Sequence, residues 1–232
     1  MIQLIPITGI PDVSPGDVLA DLIALAGAGS ILAGDVLVVT QKIVSKAEGR
    51  LVDVDPDDPL SHKAVVEAES VRILRRRGDL IMSETRHGFV CANAGVDLSN
   101  VARGQAALLP VDSDRSARRI RDGLRARLGV EVGVVVSDTF GRAWRRGVID
   151  VAIGVAGVAG VVDLRGTQDA YGRTLMVTEV CIADEIASAA ELVMGKSRNV
   201  PVAIVRGIDE TWLREASVAA EVTRPYQEDL FR

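Results

Sequence analysis

The sequence predicts a layered α/β protein that carries neither a Rossmann nor a P-loop fingerprint, and three observations support this. Short β-branched apolar runs recur at residues 36–39, 134–136 and 200–205, and valine is favoured on a covered, pleated surface. Segments with helical spacing of apolar residues lie between those runs. Finally, 48% of the 232 residues are hydrophobic but only 3% are aromatic. The interior must therefore be built from Val, Ile, Leu and Ala, the packing of stacked sheet and helix.

Residues 2–7 alternate weakly and read as a first strand, ended by Gly9 and Pro11, which open a loop reaching Gly16. Asp17 is placed to cap a helix running to about Ala28, with Val18, Leu19, Leu22, Ile23 and Ala26 on one face. Gly34 and Asp35 turn the chain into the buried strand 36–39, which runs on into Thr40-Gln41-Lys42-Ile43-Val44-Ser45-Lys46. A loop over residues 53–58 leads to a helix of mixed charge from about Ser61 to Arg77. Its Arg75-Arg76-Arg77 end lies where cations suit the helix dipole.

Short strands at 80–83 and 89–93 flank a turn at His87-Gly88. A polar loop then follows over residues 93–100, of the kind that presents ligands. Ser113 or Asp114 caps a helix with Ala117, Ile120, Leu124 and Leu128 along its buried stripe. The glycines at 154, 157 and 160 recur every third residue, a pattern of close backbone packing and not of G-x-G-x-x-G. A polar loop over 163–173 holds Gln168, Asp169 and Tyr171. Residues 176–194 begin extended and become a helix. A last strand spans 200–205, and a short helix over 211–222 precedes a charged end.

The net charge of −5 argues against a general nucleic-acid binder, without excluding a local cationic pocket. Cys91 and Cys181 are far apart and outside any C-x-x-C pair, so both are expected to be buried free thiols in a cytoplasmic protein. His62 and His87 are isolated, which makes a histidine zinc site improbable. No basic head and cleavage site open the chain, and the apolar run 148–162 falls short of the roughly 20 residues that span a bilayer. A soluble protein with no membrane partner is expected.

The stretch richest in chemistry is V-V-V-S-D-T-F-G-R-A-W-R-R-G, residues 134–147. A buried strand here gives way to Ser137, Asp138 and Thr139, and ligands in open α/β sheets bind where strands end. Asp138, Thr139 and Asp97 supply the hard oxygen atoms that Mg²⁺ or Mn²⁺ prefers. Lys42 or Lys46 would neutralise phosphate charge, and Asn100 would donate a hydrogen bond. Arg142, Arg145 and Arg146 either grip phosphate or carboxylate groups or pair with surface acids. Gly195-Lys196-Ser197 copies the end of a P-loop, but the first glycine of that motif would fall at Ala190. That match is read as coincidence.

Taken in order, the motifs resemble those of the F420-0:L-glutamate ligases. They are Pro6-Ile-Thr-Gly-Ile-Pro11, Pro15-Gly-Asp17, Val44-Ser-Lys-Ala-Glu-Gly-Arg50 and Asn93-Ala-Gly-Val-Asp97-Leu-Ser-Asn100. Ser137-Asp-Thr-Phe-Gly-Arg142, Arg145-Arg-Gly147, Asp169-Ala-Tyr-Gly172, Ala183-Asp-Glu185 and Val205-Arg-Gly207 continue the series over nearly the whole chain.

The resemblance implies a family-specific mixed sheet with flanking helices, in one ligase domain over residues 1–232 that is either compact or two-lobed. No nitroreductase-like domain is expected beyond it. It implies a homodimer that uses GTP, Mg²⁺ or Mn²⁺ and K⁺ to join L-glutamate to the F420 precursor. Asp97, Asp138 and Thr139 would hold metal. Ile10, Pro11, Asp12, Val13, Lys46 and Asn100 would contact GTP, with Gln41, Lys42, Gly207 and Asp209 completing the nucleotide set. In three respects the chain departs from the family. The loop after Arg206-Gly207 is shorter than in archaeal members, which weakens Asp209 as a contact. Gln41 and Lys42 stand where relatives can carry small hydroxyl residues, and the fused domain of some bacterial members is not expected. Two rival readings remain open: another carboxylate–amine ligase or phosphotransferase, and a non-catalytic nucleotide- or flavin-binding module.

Overall fold

The computed structural model describes residues 1–229. In chain order the elements are β1 (Gln3–Ile7), α1 (Leu19–Ala26), β2 (Val36–Thr40), α2 (Gln41–Ala47), β3 (Leu51–Asp53), α3 (Lys63–Glu69), β4 (Ser70–Arg77), β5 (Leu80–Thr85) and β6 (Val90–Ala92). There follow β7 (Gln105–Ala107), α4 (Ser113–Leu128), β8 (Gly133–Gly141), β9 (Val148–Ala156), β10 (Val162–Asp163), β11 (Glu179–Val180), α5 (Ile182–Met194), β12 (Val202–Arg206) and α6 (Val218–Glu221).

The main sheet has five strands in the order β1-β12-β2-β8-β9. Only β2 and β8 run parallel; the other neighbours are antiparallel. The sheet is therefore mixed, as expected. Side chains alternate across a strand, and that period sorts the valines into two cores. Leu37, Val39, Val134, Val136 and Ile204 pack with Leu19 and Ile23 of α1 and Ile120 and Leu124 of α4. Val36, Val38, Val135, Ala203 and Val205 pack on the other face with Ile186, Ala187 and Ala190 of α5. Coverage on both faces explains why β2 and β12 read as nearly unbroken apolar runs. A third, smaller core of Val66, Ile81, Ala94, Val96, Ala106 and Leu108 lies under α3 and the small sheets β3-β7 and β4-β5-β6.

The glycine series after residue 148 does what close packing requires. A Cβ on Gly154 would stand 2.3 Å from the carbonyl carbon of Ser113, so α4 begins directly against β9. Across from it lies a bulge. Val136 pairs with Gly154 but Ser137 pairs with Ala152, which leaves Ile153 as an extra residue on β9.

Four local expectations are corrected. The helix expected over 61–77 stops at Glu69, and residues 70–77 form β4 instead. Val71 and Ile73 favour extended backbone, and Gly78 (φ +56°) turns β4 into its partner β5. The arginine run consequently lies along a strand. The helix expected over 211–222 breaks into a 3-10 turn at Glu210–Trp212 and α6, because Asp209 and Ser217 each cap a new start. Asp17 does not cap α1; its carboxylate accepts the Ser14 amide hydrogen. Nor does Ser113 or Asp114 cap α4. Asp112 does, by accepting from the Arg115 amide, while Asp114 is buried and accepts the Val155, Val218 and Ala219 amides.

No helix among the described residues is long and apolar enough to cross a membrane. Cys91 is buried and Cys181 half-buried, and neither is bonded to another cysteine. Burial pushes both thiols up to about 12, so neither supplies thiolate near neutral pH.

Candidate functional site at the ends of β2 and β8

A cavity of about 810 Å³ opens where β2 ends, where its pairing with β8 stops and where the chain approaches β12. Its floor is built by the parallel pair, because Thr40 lies beside Ser137 in register. This is the strand-end position at which α/β sheets bind ligands. Residues 10–13 close one side, α2 another, and the loop carrying Asp97 to Ala102 a third.

α2 begins directly after the last residue of β2, and Lys42 and Lys46 stand four apart and project from one helix face. Lys46 bonds Asp12 at 2.6 Å, and that bond holds the exposed Asp12 carboxyl below its usual range. Lys42 bonds Asp97 at 2.5 Å. Gln41 is buried and anchors the helix start by donating to Ser45 Oγ (2.6 Å) and the Leu108 carbonyl (3.0 Å). Asp97 is held through its backbone, which exchanges both hydrogen bonds with Ala107. Its carboxylate accepts the Ser99 amide (2.7 Å) and hydroxyl (2.9 Å). Burial pushes Asp97 up, but Lys42 and Ser99 outweigh it and hold the carboxyl below the ordinary range.

β8 does not stop at Ser137. It continues to Gly141, paired with β9, and its alternation divides the site. Asp138 points to the α2 face, among Lys42 and Asp97. It opens on the cavity on one side and is packed in protein on the others. Burial pushes its carboxyl up to about 7, and nearby Asp97 and Asp150 add to that against the Thr139 amide and Lys42. Ser137 and Thr139 point to the opposite face. There Thr139 Oγ1 donates to Asp150 Oδ1 (2.6 Å) and Ser137 Oγ to Asp150 Oδ2 (3.1 Å). Lys196, just past α5, bonds the Thr139 hydroxyl and reaches Asp150 at 3.0 Å.

Ile10, Pro11, Asp12, Val13, Gln41, Lys42, Lys46, Asn100, Asp97, Asp138 and Thr139 thus line one cavity. Two expected members do not. β12 leaves the cavity as it proceeds, so Gly207 and Asp209 lie at the far end of the sheet. Gly207 packs on the Met1 carbonyl, and Asp209 accepts from the Thr211 amide and hydroxyl. Arg142, Arg145 and Arg146 also stay outside the wall, exposed with Trp144 on the β8–β9 turn.

Three charged cavity residues were not legible as such: Asp150, Glu191 and Lys196. The one available signal for Asp150 was an acid within an otherwise apolar strand. Lys196 stood within the P-loop echo; the echo carries no P-loop, yet it does mark the site. Among the described residues no three His, Cys, Asp or Glu side chains gather into one metal cluster. The donors instead fall in two groups, one on each face of β8. The α2-side group fits a divalent cation by its chemistry: the hard carboxylate oxygens of Asp97 and Asp138, of which Asp138 has no ammonium bonded to it.

The profile of the F420-0:Gamma-glutamyl ligase family matches residues 8–207. The chain is 43% identical to the "Coenzyme F420:L-glutamate ligase" of Methanothermobacter thermautotrophicus, over all of this chain and 99% of that protein. It is 43% identical to the same-named protein of Methanopyrus kandleri, over 95% of this chain and 93% of that one. Against the Archaeoglobus fulgidus protein of that name it is 37% identical, over all of this chain and 96% of the relative. A cavity lined by lysines and carboxylates at paired strand ends, and likeness along the whole chain, together establish that this chain belongs to the F420-0:gamma-glutamyl ligase family.

Proposed function

We propose that this chain joins the amine of L-glutamate to the lactyl carboxylate of the F420 precursor at the expense of GTP, and extends the product by γ-linkage. The observation that carries this reading is the arrangement of Lys42 and Lys46 opposite Asp97 and Asp138 in one cavity of about 810 Å³, large enough for a nucleotide. The relatives' names supply the acceptor.

A carboxylate is a poor acyl donor because oxide leaves badly. In the proposed route a lactyl carboxylate oxygen attacks the γ-phosphorus of GTP, the bond to the β–γ bridging oxygen breaks, and GDP departs. The glutamate amine then attacks the acyl phosphate carbon. The C–O bond breaks, phosphate leaves, and the amine proton passes to phosphate or solvent. No protein nucleophile is needed, so positioning and charge neutralisation carry the catalysis. Lys46 and Lys42 offset triphosphate charge, Asn100 orients it, and residues 10–13 border the nucleotide. Asp97 and Asp138 would hold Mg²⁺ or Mn²⁺, which when bound offsets phosphate charge and draws the oxygens together. K⁺ is the expected monovalent ion, and a homodimer the expected assembly.

The test is GTP turnover with Mn²⁺ or Mg²⁺, glutamate and the F420 precursor, omitting each in turn. GDP release that needs both acceptor and glutamate, with a product heavier by one glutamate residue, is expected. GTP hydrolysis with another acceptor but not this one would favour a different carboxylate–amine ligase. Binding without metal-dependent turnover would favour a non-catalytic module.

A further inference from the structure

We propose that Lys196 is the resident cation of a second subsite, formed by Thr139, Asp150 and Glu191 on the α5 face of β8, where it does the work of a mobile counter-ion at the phosphate pocket. The inference rests on the phosphate-transfer reading of the cavity.

The geometry is that of a cation in an oxygen cradle. The Lys196 ammonium bonds the Thr139 hydroxyl, reaches Asp150 Oδ1 at 3.0 Å and stands 3.8 Å from Glu191 Oε1. Asp150 is 2% exposed and takes hydrogen bonds from both Ser137 and Thr139. A buried carboxylate so held, inside an apolar strand, requires a positive partner. All four residues line the cavity, whereas an ordinary surface lysine would pair with acids pointing to bulk water. The tether matters as well. Lys196 follows Gly195, whose φ of +62° ends α5 and turns the chain back over the cavity. The ammonium is thus delivered from α5, independently of Lys42 and Lys46 on α2.

The two groups consequently differ in kind. On the α2 face, Asp138 is left without a bonded ammonium, and a divalent ion is expected there. On the α5 face the charge is already supplied by the chain. Because the cradle is made of one hydroxyl and two carboxylates, removing the ammonium should leave a site that takes a free cation.

The experiment counts Mn²⁺ bound per chain by electron paramagnetic resonance, without nucleotide, for the wild type, Lys196→Ala and Lys196→Gln. The side chain of Lys196 is 57% exposed, so both variants are expected to fold. Each should bind one Mn²⁺ more than the wild type, and GTP turnover should fall about a hundredfold, the scale of losing one preorganised positive group. With K⁺ held constant, added ethylammonium should restore turnover in Lys196→Ala while leaving the wild type unchanged. An unchanged Mn²⁺ count, or turnover that added ethylammonium does not restore, overturns the proposal. Should the wild type show no GTP turnover, the ligase reading falls and the Mn²⁺ count alone decides the role of Lys196.

Discussion

Asp138 and Lys46 show how single residues carry function at opposite electrostatic cost. The carboxyl of Asp138 is pushed up to about 7 from an ordinary 3.8, chiefly by burial. Between those values the folded chain binds more protons than the unfolded one, so stability falls as pH rises through the window. With divalent ions chelated, Asp138→Asn should be the more stable protein at pH 8, by up to a few kcal/mol, and equal to the wild type near pH 4. Thermal melts across pH would show it; parallel curves at all pH values would mean that Asp138 titrates normally. The same variant should lose metal-dependent turnover. Lys46 is different, since its partner Asp12 is largely exposed and such pairs contribute about 0–1 kcal/mol. Lys46→Ala should leave the melting temperature nearly unchanged and raise KM for GTP about tenfold, equal to about 1.4 kcal/mol. An unaltered KM would remove Lys46 from the phosphate site.

At the scale of elements, β8 and β9 were the most and the least legible parts. The run Val134–Val136 announced a buried strand from composition alone, and the following Ser137, Asp138 and Thr139 announced a site. What composition could not show was that the strand continues, so that alternation sends Asp138 and Thr139 to different faces. Asp150 becomes visible only through its pairing with Thr139, a contact set by tertiary register. β4 failed for a related reason. Its charged residues fit a helix end, but the hairpin with β5 supplied the ladder that residues 70–77 then joined. Element packing also yields a prediction at Gly154. A methyl there would meet the Ser113 backbone at 2.3 Å, and overpacking of this kind costs about 1–3 kcal/mol. Gly154→Ala should lower the urea midpoint accordingly; an unchanged midpoint would mean that α4 can move off β9.

Across the whole molecule, the sheet keeps its chemistry and its fastening at opposite ends. At the end away from the cavity, Arg206 grips Asp35 with two bonds of 2.7 and 2.8 Å and the Ser30 carbonyl with a third of 2.6 Å. Asp35, 1% exposed, also accepts the Leu32 amide. Removing one partner of a buried pair costs about 3–5 kcal/mol, so Arg206→Ala should destabilise the fold by roughly that amount. The cavity lies a strand length away, about 15 Å. Below its melting temperature the variant should therefore keep the wild-type KM for GTP, measured in the same turnover assay. A raised KM would return the neighbouring Gly207 and Asp209 to the nucleotide site. The lining from residues 41–46, 97–100 and 137–139 was readable because each segment carries polar residues beside an apolar run, whereas residues 10–13 came from the family resemblance alone. Glu191 and Lys196 were not, because they gain meaning only when α5 is laid across the sheet.

The extra residue at Ile153 sets how this chain tolerates change in length. On the near side of the bulge, Val136 faces Gly154; beyond it, Thr139 faces Asp150. Deleting Ile153 would leave an unbroken ladder with Thr139 still opposite Asp150, whereas deleting a second residue between Asp150 and Gly154 would slip the register by one and turn Asp150 to the other face. The first deletion should keep the carboxylate in its place; the second should give a folded protein with that place empty. The length of β9 therefore has one residue to spare and no more, because a site enters the strand through one side chain.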